Sequence, residues 1–236
     1  MAEEGRHRRE GDWEVKMVIA FIVGFLASLA SVILYERGKR PSLKVSLGST
    51  RDDQKQGITP YRFVHVAVEN KPVWWPLKLI TDRSIAYACH AVIRVHHQPD
   101  KKRAIAQDIL ARWSRTPELL QTAAISTTAG PVMLQIPDIT KLSQGRRMDI
   151  FPSYKEEIAI AIKFDGDAEC YMFSNESYLI HNPLQNKPWR NPVWKLDIGN
   201  YDVMVRVFSG SITKSTHFVL ENRGAKREDL VLRPAD

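Results

Sequence analysis

The side chains with most chemical potential in this chain are its histidines. His90 and the pair His96-His97 lie on one extended run and its exit, and His65 falls on another. Two imidazoles and a carboxylate on one sheet face would hold Zn²⁺ or Fe²⁺. His90 and His96 are six residues apart, too far to share one ion at about 3.3 Å per strand residue. Solvent-facing strand positions beside a turn account for them better, and no metal or cofactor is expected. The sequence has no Gly-x-Ser-x-Gly elbow, no phosphate-cradling glycine loop and no His-Glu-x-x-His. Asp165-Gly166-Asp167 has the composition of a tight turn. Cys89 and Cys170 are the two cysteines of the chain; unpaired they behave as small hydrophobes, and bridged they would indicate an oxidising compartment. Asn175-Glu176-Ser177 is a formal glycosylation acceptor.

Tryptophans point to binding rather than catalysis. Trp74-Trp75-Pro76 lies in a connection, next to Lys71 and Lys78, while Trp113, Trp189 and Trp194 sit in or beside irregular stretches. Trp113 and Trp194 are expected to cover sheet ends. Trp74, Trp75 and Lys78 are expected to touch a membrane interface or a partner.

The element that dictates location is Met17–Tyr35, an uncharged run reading MVIAFIVGFLASLASVILY. As a helix it spans about 28 Å, close to the ~30 Å hydrocarbon core of a bilayer. Met17, Phe21, Phe25, Leu29, Ile33 and Tyr35 are its anchoring side chains, and Trp13 and Tyr35 bracket it where amphipathic rings favour the interface. Gly24, Ala27, Ser28 and Ser31 form a stripe of small residues at helical spacing. A cleaved export leader is the competing reading. Its apolar stretch would be shorter, about 7–15 residues, and here the run ends in Glu36-Arg37-Gly38-Lys39-Arg40. That ending favours an uncleaved anchor. Residues 1–16 and 36–50 carry four Lys/Arg each, so the positive-inside count ties. The tight cluster of Arg37, Lys39 and Arg40 favours a cytoplasmic main domain.

Beyond Pro41 the hydrophobic period is two, which argues strands. Leu43, Val45 and Leu47 alternate with polar residues. Val64, Val66 and Val68 share a face, as do Ile85, Tyr87, Cys89, Ala91, Ile93 and Val95. Residues 132–136, 158–164, 168–173, 201–208 and 213–220 continue the pattern between polar breakers. Many short strands with polar turns predict an antiparallel sandwich or barrel. Asp165-Gly166 predicts a type I′ hairpin pairing Phe164 with Asp167 and Ile160 with Tyr171. Ser209-Gly210-Ser211 predicts a second hairpin, with Val203, Val205 and Val207 sharing a core face with Thr216, Phe218 and Leu220. Residues 103–112 and 117–124 read as short helices, and 181–194, rich in Pro and Asn, as a long loop.

Asp197-Ile198-Gly199-Asn200-Tyr201-Asp202-Val203 resembles the Asp-x-Gly-x-Tyr pattern that precedes strand F in immunoglobulin-like sandwiches. The resemblance implies a corner in which Tyr201 bonds back to upstream backbone near Asp197. Val203 stands where antibody domains place their second core cysteine, and the first cysteine with its following tryptophan is missing. The likeness concerns fold alone and transfers no functional residue.

The chain has 236 residues, 34 of them Lys/Arg and 27 Asp/Glu, and a formal charge of +7. This composition excludes collagen-like, disulfide-dense and wholly disordered classes. Without residues 1–40 the balance is 27 against 21. The surplus, clustered at Lys101-Lys102-Arg103, Arg146-Arg147 and Lys226-Arg227, suits anionic lipid headgroups at about 1 kcal/mol per nearby charge. No stacking motif for nucleic acid accompanies it. The expected organisation is a polar tail (1–16), a transmembrane helix (17–35), a linker (36–42) and a mainly β, antiparallel Ig-like sandwich (43–236). The expected function is a membrane-anchored, non-catalytic binding or interaction module whose partners are the lipid bilayer and a protein. An anchored hydrolase or metal enzyme using His90, His65 or residues 181–194 is the alternative, and a membrane-coupled nucleic-acid or nucleotide sensor the third reading.

Overall fold

The computed structural model describes residues 4–54, 58–98, 104–128, 130–179 and 189–235. The chain divides into two compact units, Met1–Arg40 with Pro72–Ser84, and Pro41–Lys71 with Ile85–Asp236.

The first unit is built on one helix, α1 (Glu4–Lys39). Its stretch Lys16–Lys39 is long and apolar enough to cross a membrane, and none of its most apolar window is buried by protein. The helix continues well into the polar tail and ends before Pro41, whose ring disfavours a helical residue ahead of it. Gly24 has open space where a Cβ would be, and Ser31 donates to Ala27 O at 2.8 Å.

The second unit is a β-sandwich. Its strands are β1 (Leu43–Asp53), β2 (Tyr61–Asn70), β3 (Ala86–His97), β4 (Ala104–Leu110), β5 (Arg112–Trp113), β6 (Leu120–Thr127), β7 (Gly130–Pro137), β8 (Met148–Ile150), β9 (Lys155–Phe164), β10 (Cys170–Met172), β11 (Lys195–Leu196), β12 (Gly199–Ser209), β13 (Ile212–Asn222) and β14 (Leu230–Pro234). The first sheet runs β1-β2-β9-β10-β11 with β5 beside β9. The second runs β14-β13-β12-β3-β4 with β8 beside β3, and β6-β7 forms a separate ribbon. All of these strand pairs are antiparallel. Valines and isoleucines of β2, β9, β3 and β12 meet between the sheets in one aliphatic core, burying the apolar area that drives folding.

Where the sequence reading and the structure differ, irregular backbone is usually the reason. Residues 104–110 pair with β3, and 120–127 with 130–137, so neither segment forms the expected helix. Burial of Ile109 against the core outweighs local helix propensity. Ala88 has φ 47° at a bulge in β3, which buries Ala86 and Cys89 and exposes Tyr87. The alternation through Ile85 therefore changes phase. Gly166 has positive φ but Asp165 does not, so no type I′ turn forms there. The register is Tyr171 with Ile162 and Met172 with Ala161, two residues from the expected pairing. The β12–β13 hairpin has the expected faces, with Val203 opposite Phe218 and Val205 opposite Thr216.

A bulge in β9 opposite Val64 and His65 turns Lys163 inward, where it is fully buried. Its ammonium donates to Asp167 O at 2.9 Å, Ala168 O at 3.1 Å and Asn222 Oδ1 at 2.8 Å. Asn222, on the second sheet, donates in turn to Ala168 O and Asp197 O. Burial pushes the Lys163 pKa below the usual lysine value, against the pull of Cys170, Asp229, Asp167 and Glu169.

Candidate functional site

The outer face of the first sheet carries a second, aromatic core. Tyr61, Phe164, Tyr171, Phe173, Tyr178 and Trp189 are buried there with Leu119 and Ile162. The rings meet mostly edge-on, as at Phe63–Phe173 (4.7 Å between centroids, 73°) and Tyr61–Trp189 (5.3 Å, 76°), the arrangement that ring quadrupoles favour. A cavity of about 200 Å³ opens over this core, walled by Tyr61, Phe63, His65, Ser114, Phe173 and Trp189. Arg51, Asp53 and Glu118 also line it. A polar cleft of about 430 Å³ shares Arg51 and Ser114 with it and adds Glu156 and Glu157.

One irregularity of β1 builds the polar wall. Gly48 lies so close to β2 that a Cβ would stand 2.8 Å from the His65 carbonyl, and β1 bulges between Leu47 and Thr50. Glycine allows this close approach. The bulge presents Ser49 O to His65 Nδ1, which donates at 3.0 Å. Ser49 N and Oγ both donate to the Glu157 carboxylate at 2.8 Å, and Arg51 Nη2 reaches it at 2.6 Å. Burial lowers the His65 pKa below 6.5, more than Ser49 and Glu157 raise it, so the ring is neutral with Nε2 as an acceptor. Burial alone would raise the Glu157 pKa, but the Ser49 bonds, His65 and Arg51 hold it below the ordinary glutamate value.

Arg112 and Asn175 brace the aromatic wall. Arg112 is buried, donates to Asn175 Oδ1 and Pro117 O, and lies 5.3 Å from the Tyr178 ring centre. Asn175 Nδ2 donates to Leu142 O and Gln144 O, both at 2.7 Å. The formal glycosylation acceptor is thus a buried structural residue in the folded domain. Ser114 Oγ is buried with no hydrogen-bond partner. It makes no bond to His65 in this structure. The His65 imidazole, over a floor of rings, lines a cavity that can hold a ring-sized group bearing one polar atom.

The other expected residues are dispersed. His90 stacks on Phe208 (4.9 Å, 11°) in the second sheet, and His97 meets the edge of Tyr201. Among the described residues, no three of His, Cys, Asp or Glu converge to hold a metal ion. Cys89 and Cys170 are buried free thiols, and burial raises the pKa of both, Cys170 to about 12. Trp113, Trp189 and Trp194 are buried. Tyr201 OH donates to Asp197 O at 2.8 Å. Lys101-Lys102-Arg103 and most of the 181–194 loop lie outside the described residues.

In the first unit, Met17, Phe21, Phe25, Leu29, Ile33 and Tyr35 are all exposed along α1, with the Lys39 ammonium 4.1 Å above the Tyr35 ring centre. Trp74, Trp75 and Lys78 are exposed on the segment 72–84. Ser84 N donates to Lys39 O at 2.8 Å, and Arg83 to Arg40 O.

His65 was legible as a histidine on a strand, but its pairing with Ser49 was not. The one available signal was Gly48 inside an alternating run, which marks a bulge or a close approach. Comparison of the chain with protein-family models, with curated proteins and with solved structures gives no match in any of the three.

Proposed function

We propose that this chain is a single-pass membrane protein whose Ig-like sandwich is a non-catalytic binding module on the cytoplasmic side. The observation that carries the reading is α1, whose apolar stretch has no protein cover and would be costly to leave in water. The Tyr201–Asp197 bond supports the Ig-like assignment through its corner geometry. The cationic cluster Arg37, Lys39 and Arg40 at the end of the span supports the orientation. Recognition is assigned to the cavity beside His65 and Ser114. Its volume of about 200 Å³ suits one ring-sized group, since a cavity of about 150 Å³ holds benzene. The expected partner is therefore a protein that inserts an aromatic side chain carrying a hydrogen-bond donor for His65 Nε2.

Alkaline carbonate extraction and intact-mass analysis of the full chain test the anchor. Retention in the pellet with residues 1–35 present supports it, and release into the supernatant or loss of the first thirty-odd residues overturns it. Labelling of a tag at residue 236 from outside intact cells would overturn the orientation. A photo-crosslinker at Thr116 should form a discrete adduct that Ala159→Phe, which fills the cavity, abolishes. An adduct unchanged by this variant removes the cavity from the function.

A further inference from the structure

We infer that residues 74–80 form a second lipid contact, a shallow insertion that sits in the bilayer interface at the end of the α1 span. The inference rests on the reading of α1 as a membrane anchor. Five large apolar side chains lie within these seven residues; Leu77 is half-buried and the other four are uncovered, Trp74 at 74% exposed, Trp75 70%, Leu79 77% and Ile80 68%. A soluble surface scatters such residues singly, and a contiguous group of this kind marks an interaction site.

The occupant follows from where the segment is held. Ser84 N bonds Lys39 O, Arg83 bonds Arg40 O and Pro72 O, and the Thr81 methyl group fills the notch at Gly38, where a Cβ would be 2.7 Å away. Gly38 and Thr81 are buried by this contact. The segment is thus fastened to the last turn of the helix, the level at which an anchor leaves hydrocarbon for headgroups. Tryptophan is the side chain enriched at that level, and the short 3₁₀ turn Leu77–Leu79 puts exposed Leu79 and Ile80 beside the two indoles in sequence. Charge agrees with the assignment. Arg37, Lys39, Arg40, Lys78 and Arg83 belong to the same unit as the apolar group, with Asp82 and Glu36 as the opposing charges, and clustered cations at a span's end are attracted to anionic leaflets.

The test uses full-length protein in phosphatidylcholine–phosphatidylglycerol vesicles with an environment-sensitive fluorophore at a single introduced cysteine. Cys89 and Cys170 are buried and therefore slow to label. Leu79→Cys is compared with Leu26→Cys in the span and with Ser211→Cys at the exposed β12–β13 turn, each read by quenchers placed at known lipid depths. Blue-shifted emission at Leu79→Cys, quenched several-fold more strongly by shallow lipid quenchers than at Ser211→Cys, supports the insertion. A Leu26→Cys label deep in the bilayer with an aqueous Leu79→Cys label overturns the insertion and leaves the anchor standing. An aqueous Leu26→Cys label overturns the anchor itself. A Leu79→Cys shift that appears in detergent and grows with protein concentration assigns the patch to a second copy of the chain and overturns the lipid assignment.

Discussion

The helix and the sandwich use the same kinds of residue in opposite ways. Ile22, Val23, Phe25 and Leu26 in α1 are about as apolar as Ile93, Ile160, Val205 and Phe218 in the sheets, yet the first four are exposed and the last four buried. A helix satisfies its own backbone, so its side chains can all face outward into a non-aqueous surrounding. A strand leaves its backbone to a neighbour and its apolar face to a second sheet, so the sandwich must supply its own interior. On the proposed reading of α1 as an anchor, identical chemistry is stabilising in both regions because lipid surrounds the helix while the strands surround one another.

The comparison breaks most sharply at two tryptophans. Trp113→Ala, in the fully buried core, should cost about 3–5 kcal/mol of sandwich stability, read by urea unfolding of the full chain in detergent. Trp13→Ala, on the exposed helix, should leave that midpoint unmoved. The reverse case is Leu26→Arg, which should weaken insertion by about 2.5–3.5 kcal/mol and make the protein extractable by carbonate while the sandwich melts as before. Asn175→Ala removes the bonds that join Arg112 to residues 142 and 144. It should cost about 1–3 kcal/mol and loosen the cavity, seen as faster amide exchange in residues 174–178.

A smaller effect sharpens the contrast through pH. Burial holds the native His65 pKa below 6.5, so the unfolded chain binds a proton that the native state refuses as pH falls past that value. Stability should therefore decline from neutrality through pH 6.5 toward the lowered native pKa and level off below it. His65→Gln should flatten this portion of the curve, and membrane retention should not follow it. A steady midpoint across that range in the parent protein would contradict the buried, neutral imidazole.

The apolar run of α1 and the hairpin centred on Gly210 could be read from the sequence because each rests on one uninterrupted period. The bulges could not. Strict alternation along β9 groups Ala159, Ala161 and Lys163 on one face; the structure sends Ala161 and Lys163 to the aliphatic core and its boundary with the second sheet, and Ala159 to the aromatic side. Residues 104–110 looked helical because Ala, Gln and Leu favour helices locally, whereas pairing with β3 is decided by residues far away in the chain. The cavity was hidden for the same reason: His65, Ser114 and Trp189 share no motif and line one cavity only because distant strands pair.

Lys163 and Asn222 also constrain the order of assembly. The ammonium collects carbonyls from the turn after its own strand, yet its side-chain acceptor arrives almost sixty positions later, on β13. Until that asparagine emerges from the ribosome, the turn at 165–169 has only part of its clasp, and the lysine lacks the partner that makes its burial tolerable. The clasp around the turn at 165–169 can thus close only after β13 has been made, so this part of the domain waits for a strand far downstream.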